Sequence, residues 1–396
     1  MKKVSIQLMK IALCGFFIFL LFGCEYDRPG SLFEPGNGAP KPLITSVNPP
    51  AGENGITRIT ISGENFLVQP QANFIYFGNK AGTILSAQTN QLLVERPIDI
   101  AGSFMVKVVT REAFDFTEFG PYDLEAGIIQ FGRKAKYNAI AADEEGNLFA
   151  EIDNIVYRIS LSGEISEFGT IAFRSTCMRF GSDGYLYILR RENRDLHRIA
   201  PGGGASERYT RIAKRVSYLD LGPDGTIYAG SLTEGLFITS ADGSRSVEAP
   251  GYLNTFAIRA MRVYEGFVYV AADTITNATD KAYTALFKHE IQDTTLGERQ
   301  LLLSWKNSGI YAGSVLYDFI FSEDGTMILA TDHENPLLRL QADGSITPLY
   351  SGTLKGPVTQ LAWGKSNYMY YQLTAREAAD SGILRVIMGQ KASVNF

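Results

Sequence analysis

The sequence has little cysteine, no excess of basic residues and few long apolar runs. It contains 3 cysteines among 396 residues, and its 37 Lys and Arg against 42 Asp and Glu give a formal net charge of −5. So few cysteines exclude a disulfide scaffold, and the acidic balance argues against nucleic acid as a partner, because phosphate binding normally leaves a basic footprint. Hydrophobic residues make up 45% and are spread along the chain, which excludes a disordered chain and a polytopic membrane protein.

The N-terminal sequence predicts that the protein is exported. Three lysines flank or precede a 12-residue apolar run (11–22) that is too short to span a bilayer comfortably. We therefore interpret residues 1–23 as a signal peptide. The run ends in Leu-Phe-Gly followed by Cys24, a string that resembles the bacterial lipobox. This resemblance implies that Cys24 receives a lipid anchor, which leaves Cys177 alone and predicts no internal disulfide.

A polar segment follows the cysteine. Residues 24–42 are rich in Pro and Gly and lack apolar periodicity, which predicts a flexible tether. Glu25, Tyr26 and Asp27 resemble the short acidic export signal of surface-exposed lipoproteins from Bacteroidetes-type bacteria. The resemblance implies an outer-membrane lipoprotein that faces the cell exterior, and a periplasm-facing anchor is the alternative.

Residues 43–125 read as short strands separated by turns. Apolar runs at 59–61, 74–77 and 104–109 lie between turn residues, which predicts a small β-sandwich. The strings ITSVNPP, ITISGENF and IYFG within this segment resemble the IPT/TIG family of immunoglobulin-like domains. That resemblance implies a spacer or packing module, and direct ligand binding by this domain is the alternative.

A repeated unit fills residues 126–396. A glycine turn followed by an aromatic or aliphatic strand recurs at Gly146, Gly184, Gly225, Gly266 and Gly325, with a degenerate copy at Asn367. The spacings of 38, 41, 41, 59 and 42 residues are typical of four-stranded propeller blades. We predict an all-β chain in which the sandwich precedes a six-bladed β-propeller, closed by pairing of 128–131 with the last blade. The longest spacing predicts face loops at 273–280 and 292–300.

The repeat is similar to the NHL-type six-bladed propellers, which include protein-binding, RNA-binding, glycan-associated and hydrolytic members. This resemblance implies an architecture and leaves the chemistry open. A TIG-type domain followed by such a propeller on a lipid anchor also resembles the accessory surface lipoproteins of TonB-dependent glycan uptake. It implies a glycan as ligand, and a TonB-dependent transporter with its substrate-binding lipoprotein as partners.

The innermost strand of each blade supplies candidate binding residues, because its side chains border the central channel. The polar residues at matched positions are Arg179, Tyr218, Asp220, Arg262, Asp318 and Gln360. They form either an internal ion-pair network or a polar ligand site at the channel mouth. A second candidate is the basic stretch from Arg190 to Arg215, in which Arg190, Arg191 and Arg194 would recognise an anionic group such as a uronate or phosphate. A solvated blade edge is its other interpretation.

The sequence offers little for catalysis. Only two channel residues are carboxylates, and the three histidines are expected on outer strands or loops of different blades, so we predict no metal site and no cofactor. No familiar catalytic motif is present. The leading hypothesis is therefore a non-enzymatic binding lipoprotein. The alternatives are a hydrolase or lactonase that uses Asp220 and Asp318, and a general protein–protein interaction scaffold.

Overall fold

The computed structural model describes residues 38–48, 58–97, 100–111, 113–191, 193–275 and 284–393. The predicted signal peptide, Cys24 and most of the predicted tether lie outside these ranges. Regular structure is almost entirely β-strand, with four short 3₁₀ helices at Pro70–Ala72, Trp305–Asn307, Gly309–Tyr311 and Ala378–Asp380. Within the described ranges, no helix has the length and apolar character needed to cross a membrane.

The first eight strands form a β-sandwich. They are β1 (Leu43–Asn48), β2 (Arg58–Glu64), β3 (Asn73–Phe77), β4 (Lys80–Ala81), β5 (Thr83–Gln88), β6 (Gln91–Glu95), β7 (Gly102–Thr110) and β8 (Thr117–Leu124). One sheet has the order β1-β2-β6-β5 and the other β4-β3-β7-β8, with antiparallel pairing throughout. Alternate residues such as Ile59, Ile61 and Phe77 point into a shared core. The predicted immunoglobulin-like sandwich is confirmed.

The remaining strands belong to six sheets. After β9 (Ile128–Phe131), blade 1 has β10 (Ala139–Ala142), β11 (Leu148–Ile152), β12 (Ile155–Ile159) and β13 (Ile165–Thr170). Blade 2 has β14 (Ser175–Phe180), β15 (Leu186–Arg190), β16 (Asp195–Ile199) and β18 (Glu207–Arg211), and the short β17 (Gly204–Ala205) precedes its last strand. Blade 3 has β19 (Tyr218–Leu221), β20 (Ile227–Gly230), β21 (Leu236–Thr239) and β22 (Ser246–Ala249).

The last three blades follow the same order. Blade 4 has β23 (Phe256–Tyr264), β24 (Phe267–Thr274), β25 (Thr284–Gln292), β26 (Thr295–Leu296) and β27 (Gln300–Ser304). Blade 5 has β28 (Leu316–Phe321), β29 (Met327–Thr331), β30 (Leu337–Leu340) and β31 (Ile346–Pro348). Blade 6 has β32 (Val358–Trp363), β33 (Tyr368–Leu373) and β34 (Gly382–Ile387).

The ring is closed by a strand from the start of the propeller. β9 pairs antiparallel with β34, so that Phe131 lies opposite Ile383 and Ile128 lies opposite Val386. The innermost strands β10, β14, β19, β23, β28 and β32 each contact the next one, and β32 contacts β10. The predicted six-bladed propeller and its closing pair are confirmed.

Packing between blades explains why apolar and polar residues do not alternate strictly along the propeller strands. In β15 the four residues from Leu186 to Leu189 are all buried, because both faces of a blade pack against neighbouring blades. A strand covered on both faces reads as a continuous apolar run. The blade interfaces therefore hold most of the aromatic and branched side chains of the propeller.

The extra residues of blade 4 only partly form the predicted loops. Asp273 and Thr274 belong to β24, residues 276–283 lie outside the described ranges, and β25 and β26 form a small hairpin that the sequence did not predict. Further extra residues form the two 3₁₀ helices after β27. Trp305 is buried there and its Nε1 donates to the Ser314 carbonyl at 2.9 Å, so packing fixes this segment.

Blade 2 contributes one short strand to blade 1. β17 pairs in parallel with β13, with Gly204 opposite Gly169. The preceding Gly203 has φ +82°, and a Cβ built on it would lie 2.2 Å from the Phe168 carbonyl oxygen. The two backbone segments approach each other so closely that only glycine fits at residue 203.

We expect Gly203→Ala to lower the free energy of unfolding by about 2–3 kcal/mol, since it adds a backbone clash to the strain of a positive φ. Gly344→Ala is the matched control, because Gly344 has φ +83° with nothing within 4 Å of its built Cβ; we expect a loss of about 1 kcal/mol. Urea unfolding of both variants measures the difference. Equal losses would mean that β17 is not tightly held against β13.

Candidate functional site

The innermost strands surround a channel with two unlike mouths. Near the starts of these strands lies a cavity of about 650 Å³, which we call the wide mouth. Near their ends lies a cavity of about 80 Å³, the narrow mouth. The largest accessible space on the channel axis is therefore on the face where the innermost strands begin.

The narrow mouth is lined by aromatic side chains and bordered by Ser393 near the C-terminus. Phe180, Tyr264, Phe321 and Trp363 come from the last positions of four innermost strands, and Tyr264 stacks on Phe321 with ring centroids 4.2 Å apart. Ser393 also lines this cavity, and its backbone N–H donates to the Phe321 carbonyl at 3.0 Å. The narrow mouth therefore offers much less accessible space than the wide mouth.

Two ion pairs lie inside the channel. Arg262 donates from Nη2 to Asp318 Oδ1 at 2.7 Å, and the side chains are only 8% and 7% exposed. Arg179 Nε lies 3.7 Å from Asp220 Oδ1. Each arginine also donates from Nη1 to the carbonyl of the preceding residue at 2.7 Å. Charges this deeply buried require such partners.

The acceptors of the channel also join neighbouring blades. Asp220 Oδ2 accepts the backbone N–H of Val263 at 2.7 Å, so it links blade 3 to blade 4. Asp318 Oδ2 accepts the N–H of Leu361 at 2.9 Å, from blade 5 to blade 6. The Gln360 side chain likewise links blade 6 to blade 1. These side chains therefore stabilise the ring itself, independently of any ligand.

The channel environment changes the acid–base properties of its ions. Burial raises the pKa of Asp220, although attraction to Arg262 and Arg179 opposes the change. Burial and repulsion from Arg179 lower the pKa of Arg262. A carboxyl with a raised pKa is a common feature of acid–base sites. Asp220, however, borders the narrow mouth, and its oxygens face an arginine and a backbone N–H.

Most of the predicted channel residues meet at the wide mouth. Arg179, Tyr218, Arg262, Asp318 and Gln360 all line it. Asp220 does not; it lines the narrow mouth together with Arg179 and Arg262, which reach both cavities. Asp318 therefore lines the wide mouth and Asp220 the narrow mouth, so the two carboxylates lie in different cavities.

The three predicted anion-binding arginines do not form one site. Arg191 lines the wide mouth. Arg190 lies 3.9 Å from Asp195 and over the Phe173 ring, with its guanidinium carbon 5.7 Å from the ring centroid. Arg194 Nε donates to the Ile212 carbonyl at 3.0 Å. The basic stretch therefore divides between the channel mouth and the side of blade 2.

Sequence reasoning did not select several residues of the wide mouth. Tyr317 and Gln372 line this cavity as well, beside Arg215, which ends the basic stretch that the sequence predicted to recognise an anion. Tyr317 directly precedes Asp318, so its position in the strand was a usable signal. Gln372 lies on the second strand of blade 6 opposite Gln360, and only the register of that hairpin brings it to the channel.

The histidines lie away from the channel. His197 is in β16 and His289 in β25, both third strands, and His333 follows β29. The described residues contain no cluster of three or more His, Cys, Asp or Glu side chains that could hold a metal ion. Each histidine packs against an aromatic ring: His197 against Phe173, His289 against Tyr252 and His333 against Tyr311.

The environment of His289 predicts that the folded protein is less stable in mild acid. Its Nδ1 lies 3.0 Å from the Gly297 carbonyl and its Nε2 2.7 Å from the Tyr252 hydroxyl, so the neutral ring donates to the carbonyl and accepts from the hydroxyl. Burial lowers the pKa of His289. The unfolded chain thus binds a proton as the pH falls through about 6.5 while the folded chain does not, which favours unfolding.

We expect the free energy of unfolding to fall between pH 7.5 and 5, and His289→Gln to make that fall shallower. Urea unfolding at a series of pH values measures it. Gln292→Ala is the control and should leave the slope unchanged, because Gln292 is an exposed residue of the same strand and carries no titratable group. The same slope in all three proteins would contradict the role of His289.

Comparison with known proteins identifies the sandwich. Residues 42–125 match the IPT/TIG domain family. A comparison with curated proteins found no match. The predicted IPT/TIG module is therefore confirmed, and it covers only the part of the chain before the propeller.

Solved structures share the fold at low sequence identity. An auxiliary nutrient binding protein from Bacteroides ovatus is 12% identical over 88% of this chain and 98% of its own, with a TM-score of 0.50. A putative gluconolactonase is 11% identical over 67% and 93%, with a TM-score of 0.51. A luciferin-regenerating enzyme is 12% identical over 68% and 97%, also at 0.51. The first structure matches most of this chain, including a length that spans both modules. The other two match about two thirds of the chain, which is the length of the propeller.

Proposed function

We propose that this protein is a non-enzymatic binding protein that captures a polar nutrient, of the glycan class, in the wide mouth of its propeller. The observation that carries this proposal is the cavity of about 650 Å³, lined by hydroxyl, amide, tyrosine and arginine side chains. Its volume lies within the range of small-ligand sites. The likeness of the two-module architecture to an auxiliary nutrient binding protein supports the same role.

The channel carboxylates favour binding over hydrolysis. Asp318 is held by Arg262 and by the N–H groups of Leu361 and Phe319. Asp220 borders the other mouth. A general acid or base must reach the proton that it transfers, and neither carboxylate offers a free oxygen to a ligand in the wide mouth. The hydrolase or lactonase alternative therefore has no assembled pair of catalytic groups there.

A lipid anchor at Cys24 would place the binding site at the outer membrane, facing the cell exterior. Lys41 pairs with Asp115 at 2.8 Å and its carbonyl accepts from Asn65 at 2.9 Å, so the chain enters the sandwich at a fixed point. Labelling with radioactive palmitate should mark the wild type and not Cys24→Ser. Protease added to intact cells should remove the protein; resistance would place it on the periplasmic side.

The expected partners are a TonB-dependent transporter and its substrate-binding lipoprotein. The tether and the TIG module would then position the propeller as an accessory subunit of the uptake complex. Affinity purification of the tagged protein from solubilised membranes should recover both partners. Recovery of the transporter together with no glycan binding by the purified protein would replace the capture role with that of an assembly scaffold.

Isothermal titration against a panel of oligosaccharides tests the capture role. We expect at least one member to bind the wild type, and Thr233→Trp to abolish that binding, since Thr233 is an exposed residue lining the wide mouth. Ser182→Trp is the control, because Ser182 is exposed on a turn outside the wide mouth. Binding that survives Thr233→Trp would remove the site from this mouth, and product formation from any ligand would restore the enzyme alternative.

A further inference from the structure

The wide mouth carries more positive than negative charge. Four arginines line it, namely Arg179, Arg191, Arg215 and Arg262, against one carboxylate, Asp318. Asp318 is already paired with Arg262, and the nearest carboxylate to Arg179 is Asp220 of the narrow mouth. The lining therefore has a basic excess, in a chain whose formal net charge is −5.

Arg215 is the arginine best placed to meet a ligand. It is exposed, it directly precedes the buried Val216 at the start of blade 3, and it lines the cavity. Within the described part of the chain it makes no ion pair. A guanidinium presents two parallel N–H groups to a carboxylate or a sulfate, so an anionic ligand group fits this position well.

Two buried polar atoms belong to residues that line the same cavity. Gln372 is 3% exposed, its Nε2 donates to the Tyr137 carbonyl at 2.6 Å, and its Oε1 has no hydrogen-bond partner among the described residues. The Thr176 hydroxyl is likewise buried without such a partner. Because the Gln372 amide is fixed by its nitrogen, its oxygen is an acceptor that a ligand hydroxyl can satisfy.

Hydroxyl-bearing and flat side chains complete the lining. Tyr218 and Tyr317 come from the innermost strands of blades 3 and 5, and burial raises the pKa of Tyr218 to about 12. Tyrosine faces and hydroxyls suit a polyhydroxylated ring, which needs both apolar contact and hydrogen bonds.

We infer that the wide mouth selects an acidic saccharide, whose carboxylate or sulfate binds Arg215 while a ring hydroxyl donates to Gln372. This inference rests on the proposed glycan-capture function and adds the charge of the ligand. A neutral sugar would leave the basic excess unused. An anion without hydroxyls would leave Gln372 Oε1 without a donor.

The test compares matched ligands on the full mature chain by isothermal titration. The probes are trigalacturonate, its fully methyl-esterified form, a sulfated galactose trisaccharide and neutral galactotriose. We expect trigalacturonate or the sulfated sugar to bind at least about tenfold more tightly than both uncharged probes. Whichever of the two binds identifies the anion as carboxylate or sulfate.

Two variants test whether Arg215 causes the preference for the acidic probe. Arg215→Ala should weaken binding of the acidic probe at least about tenfold and leave the uncharged probes unchanged. Lys214→Ala removes the adjacent positive charge, which pairs with Glu234 at 3.8 Å and does not line the cavity, and should leave affinity within about twofold. Equal binding of charged and uncharged sugars would overturn the inference and keep the capture role, whereas no binding of any glycan in this set or in the wider panel would overturn both.

Discussion

Removal of residues 1–132 is expected to unfold the propeller, whereas removal of residues 1–126 leaves it folded. The first truncation takes away β9 and exposes the edge of β34, which β9 covers over four paired residues. It also removes Phe131, which is 3% exposed and packs on Tyr370 with ring centroids 5.1 Å apart. Loss of a buried Phe side chain alone costs about 3–5 kcal/mol, against a total stability of about 5–15 kcal/mol for most domains.

Circular dichroism and thermal melting of the two truncated proteins measure this effect. The protein starting at Gly127 should melt cooperatively, and the protein starting at Arg133 should aggregate or show no cooperative transition. Phe131→Ala in the protein starting at Gly127 provides an intermediate case, with Ile310→Ala as its control because Ile310 is 77% exposed. Two truncated proteins that melt alike would contradict ring closure by β9.

Asp318→Ala is expected to lower the free energy of unfolding by about 3–5 kcal/mol, because it leaves the buried Arg262 without its counter-ion. The same carboxylate accepts the N–H of Leu361, so the contact between blades 5 and 6 is weakened as well. Arg262→Met combined with Asp318→Ala should lose less than the sum of the single changes, since the double variant contains no uncompensated charge.

Urea unfolding of the four proteins in this cycle measures the coupling. Asp380→Ala is the control, since Asp380 is an exposed residue of the last 3₁₀ helix and its loss should change stability by less than about 0.5 kcal/mol. An unchanged stability of Asp318→Ala would mean that the ion pair is not structural, and would make this carboxylate available for acid–base chemistry again.

The fold could be predicted because its signals are local and repeated. Each blade needs a tight turn between its first two strands, and the recurring glycines at Gly146, Gly184 and Gly225 all have positive φ. The closing pair followed from the need to cover the open edge of the last blade. The β25–β26 hairpin and the buried Trp305 could not be predicted, since they belong to one blade and no repeat marks them.

The binding residues were predictable as a set but not in their arrangement. Matched positions on the innermost strands placed Arg179, Asp318 and Gln360 at the channel. Which mouth each side chain faces depends on strand register, and Ser393 borders the narrow mouth from a segment far along the chain. Gln372 reaches the cavity from a second strand, and no pattern within that strand distinguishes it from a core residue.

A crystal structure of the mature chain with its tightest-binding oligosaccharide locates the ligand. We predict that the sugar occupies the wide mouth, with its anionic group within hydrogen-bond distance of Arg215 and a ring against Tyr218 or Tyr317. A ligand found instead between blades, at the narrow mouth or on the TIG module would contradict the assignment of the channel as the binding site.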